Sequence, residues 1–314
     1  MPSRARALTL VAGLLVLGLV PVVAALTQQP FYLDLFRRIM IFAIAAVSLD
    51  LVLGFGGMVS FGHAAYLGIG AYAVAIPAFY GIHSGLVQWT LALVLSGLAA
   101  LVIGAVSLRT SGVSFIMITL AFAQMLYYLG ISINAWGADD GMRLARRSQF
   151  GFVDLADPYV FYYVVLGLLV LLLWLGHRLI HARFGVVIRA ARSNEARMRA
   201  VGFATFRYKL AAFAISGAVC GLAGALLTNQ TEYLTPSFMH WTRSGDIMVM
   251  VILGGMGTLF GPVLGAIALL LLEDILSAWT VHWQVVLGPI LVLVVLYARG
   301  GLWSLLPDGA RGDG

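Results

Sequence analysis

Apolar side chains fill this chain in long runs, and the polar positions between them are few and clustered. Nine runs stand apart, at roughly 8–26, 39–53, 63–80, 86–106, 112–134, 158–176, 208–230, 247–272 and 284–298. A helix needs about 20 mostly apolar residues to cross a bilayer, and most of the runs approach that length. They predict an all-α polytopic membrane protein of about 8–10 transmembrane helices, with one domain over residues 1–314. The stretch "DIMVMVILGGMGTLFGPVLGAIALLLLEDIL" (246–276) is too long for one comfortable span, and Gly254, Gly255, Gly257, Gly261 and Pro262 interrupt it. It is either one bent span or a hairpin of two shorter helices, and the hairpin is preferred.

Composition agrees: 61% of the 314 residues are hydrophobic and 10% are charged. A soluble domain carries about 25% charged residues, so the solvent for this chain is largely lipid. The net charge of +6 does not point to nucleic acid, because the arginines cluster beside apolar runs. Between His177 and Lys209 stand eight Lys/Arg residues and one acid, Glu195. The positive-inside rule makes that loop cytoplasmic. Six runs precede it, so the N-terminus, with Arg4 and Arg6, falls on the same side. The N-terminal segment resembles a signal peptide but is longer than one and is read as an uncleaved first helix, with a cleaved leader as the other reading. Arg109 also falls inside and the mixed-charge loop 135–158 outside, while Arg37 and Arg38 fall outside and do not fit. The expected location is a membrane that the chain crosses several times, with its N-terminus cytoplasmic.

"GFGGMVSFGHAAYLGIGAY" (54–72) contains six glycines in nineteen residues. Helices in lipid associate by close backbone approach, which small residues permit. Ser60, Ala64 and Gly68, spaced by four, are expected to share one packing face. Gly54, Gly56 and Gly57 are denser than packing requires and are read as a helix break. Two readings stand: packing alone, or a broken backbone that also lines a cavity. Gly56, Gly57, Ser60, Gly62, His63 and the earlier Asp50 are the candidate pathway residues. An ionisable group within a span is a functional candidate by default, although His63 also has a structural reading as a hydrogen bond to a neighbouring helix. Asp50 needs a partner that the sequence does not name. Tyr66, Tyr72, Trp89 and Trp241 read as packing or interfacial aromatics, and the sole cysteine, Cys220, as a small core side chain. Glycine-rich interruptions at 54–62 and 254–262 occupy both halves, a pattern that marks substrate paths in transporters.

The loop at about 177–207 has an amphipathic pattern through Val187, Ile188, Ala191, Met198 and Val201. Gly202 is placed to end it, and Ser193 or Asn194 to cap a second short helix with Glu195 in its first turn. Such a helix lies on anionic lipid or docks into a soluble partner; one acid among so many arginines favours the partner. The chain contains no G-x-x-x-x-G-K-[ST] loop, and its only lysine is Lys209. No set of residues pairs a nucleophile with a base, and no Cys/His cluster has metal-ligand spacing. No catalytic residues, no metal site and no cofactor are expected in this chain.

"LDLVLGFGGMVSFGHAAYLGIGAYAVA", "RFGVVIRAARSNEARMRAVGFATFRYKLAAFAISGAVCGLAGALL" and "VMVILGGMGTLFGPVLGAIALLLLEDIL", in that order from about residue 40 to 298, resemble the branched-chain amino acid ABC transporter permeases. The resemblance is to the M-type subunit of their two-permease high-affinity system. It implies an ABC importer permease fold and a subunit that pairs with a homologous second permease, two ATPase subunits that bind ATP and Mg, and an extracytoplasmic substrate-binding protein. It further implies that Arg189, Asn194, Glu195 and Gly202 belong to an ATPase-coupling loop and that 54–63 belongs to the translocation pathway. Met58 stands where the family often has glutamine, and Arg197 and Met198 where it is richer in alanine. Relatives carry urea, short amides or aromatic acids, so leucine, isoleucine and valine are default substrates only. The competing readings are a stand-alone proton-coupled secondary transporter using Asp50 or His63, and a passive channel.

Overall fold

The computed structural model describes residues 4–151, 154–280, 282–297 and 300–305. Twelve α-helices carry the described fold: α1 (Arg4–Thr27), α2 (Pro30–Asp50), α3 (His63–Phe79), α4 (Gly85–Ser107), α5 (Val113–Ser132), α6 (Pro158–His181), α7 (Arg183–Ser193), α8 (Glu195–Ala200), α9 (Thr205–Thr231), α10 (Trp241–Gly254), α11 (Gly261–Trp279) and α12 (Trp283–Tyr297). Six of them are long and apolar enough to cross a membrane: α2 with the π turn Leu51–Phe55 that extends it, then α4, α5, α6, α9 and α11. Within α1, α3 and α12 lie shorter apolar stretches. This is an all-α polytopic membrane protein.

The helix α2 is the central post. In its most apolar window 83% of residues are buried inside the protein, against 22% in α5. The difference fits a bundle whose outer helices show leucine and valine to lipid while α2 is enclosed by α1, α6, α9, α10 and α11. The chain enters α2 at Pro30, nine residues before the apolar run begins, because "PFYLDLFRR" is helical although polar. This gives Arg37 and Arg38, the two charges that do not fit the charge pattern, a place in α2. Both lie within the helix. Arg37 is 2% exposed, pairs with Asp34, donates to the Pro158 carbonyl and lies over the Phe161 ring, while Arg38 pairs with Glu273 of α11 at 3.5 Å.

Glycine sets the closest helix contacts. A Cβ on Gly70 of α3 would collide with the Gly221 backbone of α9, and one on Gly224 with the Leu67 carbonyl. On the other side of α9, Gly217 meets Ala100 and Gly221 meets Ser96 of α4. The close-packed stripe thus differs from the one read along Ser60, Ala64 and Gly68. Ser60 precedes the first residue of α3, and Gly68 faces the Met239 side chain rather than a helix backbone.

The stretch 246–276 is a hairpin. Gly254 lies against Gly261, and Met250 against Gly265, so the separation grows evenly about a turn at 255–260. Residues 300–305 return to that turn, where Gly301 touches Gly255. The last nine residues, and hence the side on which the chain ends, lie outside the described residues, as do the side chains of Arg4 and Arg6. On the face opposite α7 and α8, a short antiparallel pairing of Met142–Arg143 with Tyr233–Leu234 ties the 135–158 loop to the end of α9. Ser148 reinforces it, its N–H donating to Asn229 Oδ1 at 2.7 Å and its hydroxyl to Gln88 Oε1 at 2.5 Å.

Candidate functional site

The two glycine-rich interruptions meet in space. After the π turn the chain turns at Gly56 and Gly57 and stays non-helical until His63. Its amides, deprived of helix partners, are taken up by side chains from other helices. Phe61 N–H donates to Thr119 Oγ1 of α5 at 3.2 Å and Ala64 N–H to Ser244 Oγ of α10 at 2.9 Å, while the Ser244 hydroxyl donates back to the Phe61 carbonyl at 2.7 Å. Irregular backbone at membrane depth persists where protein satisfies it in this way. Ser60, fully buried, accepts from Gly62 N–H at 3.2 Å and so stabilises the break itself.

Asp50 supplies the link between the interruptions. Its Oδ1 accepts from Gly257 N–H at 2.8 Å, and its Oδ2 has no partner among the described residues. This is the partner that the sequence did not name. Gly54 has to be glycine at this crossing, since a Cβ there would strike both the Asp50 carboxylate and the Gly257 nitrogen. Gly57 and Gly257 sit at φ +68° and +75°, and Gly255 at +119°, the region that favours glycine. Pro262 opens α11 where a missing N–H costs nothing.

The arginine-rich loop reaches this crossing. Asn194 caps α8 by accepting from Arg197 N–H at 2.9 Å, and Gly202 ends it at φ +95°. Both expected caps are therefore in place, with Asn194 rather than Ser193 at the start. Val187, Ile188 and Ala191 bury the inner face of α7. From the end of α7, Arg192 donates to the Gly54 carbonyl, and its stem covers Gly57 so closely that a Cβ there would lie 2.8 Å from Arg192 Cγ. One side chain of the loop thus touches the first interruption and lies beside the second, 3.7 Å from the position a Gly257 Cβ would take.

Glu195 and Arg189 both find partners within the protein. Glu195 accepts from Arg199, from Lys209 at the start of α9, and from the Thr205 hydroxyl at 3.0 Å. Partial burial pushes the Glu195 carboxyl up, but these bonds and the Lys209 charge outweigh it and hold it at about 2. The acid fastens α8 to α9 and is not a free hook for a partner's cation. Arg189 donates to the Ile180 carbonyl at 3.1 Å, closing the end of α6. What the loop leaves exposed is an apolar edge of Val186, Val201 and Phe203 flanked by arginines. Beneath it lies a cavity of about 410 Å³ lined by Gly56, Gly57, Arg109, Arg192, Glu195 and Lys209.

His63 has a different setting. It is fully buried between Tyr66 and Phe213, with Nε2 2.8 Å from Ser216 Oγ of α9. The Ser216 hydroxyl gives its one proton to the Ser48 carbonyl, so hydrogen bonding assigns the Nε2–H tautomer to His63. His63 pins α3 to α9 and α2, with Cys220 Sγ donating to its carbonyl at 3.3 Å. Of the candidate residues, Asp50, Gly56, Gly57 and the 254–262 set share the crossing, whereas Ser60, Gly62 and His63 serve the start of α3. Sequence reading passed over Arg192, Thr119, Ser216 and Ser244. Thr119 and Ser216 were legible only as hydroxyls in apolar runs, and Ser244 only as one polar residue among several before a run. Among the described residues, no group of three or more His, Cys, Asp or Glu could hold a metal.

The family model described as "Branched-chain amino acid transport system / permease component" matches residues 31–296. The high-affinity branched-chain amino acid transport system permease protein LivM of Salmonella typhimurium is 29% identical over 296 residues, covering 86% of this chain and 69% of its own. The probable LivM of Methanocaldococcus jannaschii is 23% identical over 85% of this chain and 91% of its own. The xylose transport system permease protein XylH of Escherichia coli is 35% identical over 138 residues, covering 41% of this chain and 35% of its own. No solved structure matches. A match over this length, on a bundle whose interruptions and arginine-rich loop converge at one crossing, makes the chain a member of the branched-chain amino acid transport permease family.

Proposed function

We propose that this chain is the membrane permease of an ATP-driven importer in a bacterial inner membrane, with its N-terminus cytoplasmic. It forms the translocation pathway with a homologous second permease, and energy arrives from two ATPase subunits docked on α7 and α8. The solute is a small amino acid or amide, with leucine, isoleucine and valine as the default, delivered by an extracytoplasmic binding protein. The observation that carries this reading is the Arg192 bond to Gly54. A rigid movement of α7 would pull directly on the point where α2 ends and the α10–α11 turn begins. Energetic coupling between sites is carried by packed side chains and hydrogen bonds that run from one to the other, and this bond is such a link. The exposed Val186, Val201 and Phe203 edge, ringed by arginines, is the surface on which an ATPase groove would close.

Purification of the tagged chain from its native membrane in mild detergent tests the reading. Recovery with a second permease and two phosphate-loop ATPases, with ATP hydrolysis, is expected. Recovery alone, from a membrane in which those subunits are expressed, overturns it. The unpartnered Asp50 Oδ2 favours a second reading, a proton-coupled secondary transporter. That reading requires the chain alone, in liposomes, to accumulate solute under a pH gradient and to stop doing so as Asp50→Asn.

A further inference from the structure

A second group of unlike charges lies away from the glycine crossing. Near the face opposite α7 and α8, a cavity of about 420 Å³ opens between α10, α11 and α12, with Phe42 of α2 on its wall. Two ion pairs meet there, with Arg243, Asp246 and Glu273 on the cavity wall beside His240 and the fourth member, Arg38, behind Glu273 and outside the lining. Arg243 faces Asp246 at 3.4 Å along one turn of α10, and Glu273 of α11, on the cavity wall, faces Arg38 of α2 at 3.5 Å. The charges sum to zero. Both pairs are long, and all four side chains are between 28% and 47% exposed. Pairs so exposed contribute little to stability and exchange readily for other partners. Ser237, His240 and Thr242 complete the polar rim, and Val249, Met250, Leu269, Leu270, Leu287 and Leu291 form the apolar body below it. A pocket with an apolar body and a few converging polar groups, within the usual size of about 300–1,000 Å³, is the form of a small-molecule site.

We propose that this cavity is a transient site for a zwitterionic α-amino acid with an aliphatic side chain. The α-carboxylate takes Arg243 and the α-ammonium lies between Asp246 and Glu273, while the side chain enters the apolar wall. A neutral charge set matches a solute of no net charge, and two opposite pairs at the rim match its two ends. Because each end replaces a weak internal ion pair, affinity stays low and release is fast, as a pathway requires. The site rests on the importer reading above and gives it a residue-level solute contact. A sugar has neither charge, so the same cavity discriminates against it.

The test follows cysteine accessibility in the full chain. Cys220 is buried, and Ser237→Cys places one reactive thiol on the exposed rim of the cavity. Its maleimide labelling rate is measured with L-leucine, with 4-methylpentanoate (no amine), with 3-methylbutylamine (no carboxylate) and with D-xylose. Leucine at its Kd is expected to slow labelling about two-fold, and at ten times Kd about ten-fold, from simple occupancy. Neither half-molecule nor xylose does so at equal concentration. Asp246→Asn with Glu273→Gln returns labelling to the unprotected rate, and Arg243→Gln does the same if that double variant does not fold. ATP-driven leucine uptake by the same preparation with its partners is scored in parallel. Uptake without protection up to about 100 mM leucine overturns the site and leaves the importer reading intact. Protection by xylose equal to that by leucine also overturns it, and the absence of both uptake and protection overturns site and substrate together.

Discussion

Replacing Arg192 by glutamine removes the one side-chain hydrogen bond that, among the described residues, joins the α7–α8 loop to the helix crossing. A hydrogen bond from a charged donor contributes about 1.5–3 kcal/mol. Arg192 is largely exposed, so the lower end applies, about 1.5 kcal/mol. If that bond carries the movement of α7 into α2 and α11, its loss lowers coupling by about one factor of ten, since 1.36 kcal/mol is tenfold in rate. The glutamine side chain still covers Gly57, so the cavity beneath the loop keeps its shape. The assay is solute moved per ATP hydrolysed, in proteoliposomes holding this chain and its partner subunits. Basal ATP hydrolysis within about two-fold of wild type and uptake reduced about tenfold are expected, with Arg192→Lys in between because it keeps charge but loses the fork. Uptake and hydrolysis falling in parallel would mean that Arg192 holds the ATPase in place. Both unchanged would mean that the loop acts through some other contact. Either outcome refutes the reasoning.

Three further expectations follow from individual contacts. Gly224→Val drives a side chain into the Leu67 carbonyl, where only the backbone can give way, so α3 and α9 must separate at a cost of at least about 1–3 kcal/mol, seen as a lower midpoint in thermal unfolding in detergent. Ser216→Ala leaves His63 Nε2–H without an acceptor in an aromatic surround, costing about 1–3 kcal/mol by the same measurement; an unchanged midpoint would show that another acceptor takes over. Glu195 has its folded-state pKa lowered from 4.5 to about 2, so its bonds to Lys209 and Arg199 stabilise α8 above about pH 4.5 and are lost as pH falls towards 2. Hydrogen exchange at residues 197–203 is expected to rise through that window in wild type and to be high throughout in Glu195→Gln.

Local features of the fold were legible because they depend on neighbours in sequence. The Gly254–Pro262 interruption gave a hairpin, Asn194 and Gly202 gave helix caps, and the dense glycines after Asp50 gave a break. What failed or went unseen depends on tertiary pairing. "FYLDLFRR" reads as an extramembrane segment until Asp34, Phe161, Pro158 and Glu273 are there to hold its arginines. Ser60, Ala64 and Gly68 have helical spacing, but the chain is not yet helical at Ser60. Arg38, Arg243, Asp246 and Glu273 are spread across more than two hundred positions, and no local pattern announces that their helices converge.

The two interruptions make physical sense as one device. The α2–break–α3 segment and the α10–turn–α11 segment each come down to the α7–α8 face and turn back there, and they touch through Asp50 and Gly257. Two straight spans would resist relative movement along their full length. Two spans that end at glycines can part at the Asp50–Gly257 contact at the cost of about one charge-assisted hydrogen bond, while the Ser244 bonds to Phe61 and Ala64 and the packing of the remainder of each helix stay in place. Arg192 stands over that joint from the arginine-rich α7–α8 segment. On the importer reading proposed above, position rather than any single reactive group is therefore what would make the crossing the place where movement outside the membrane becomes movement within it.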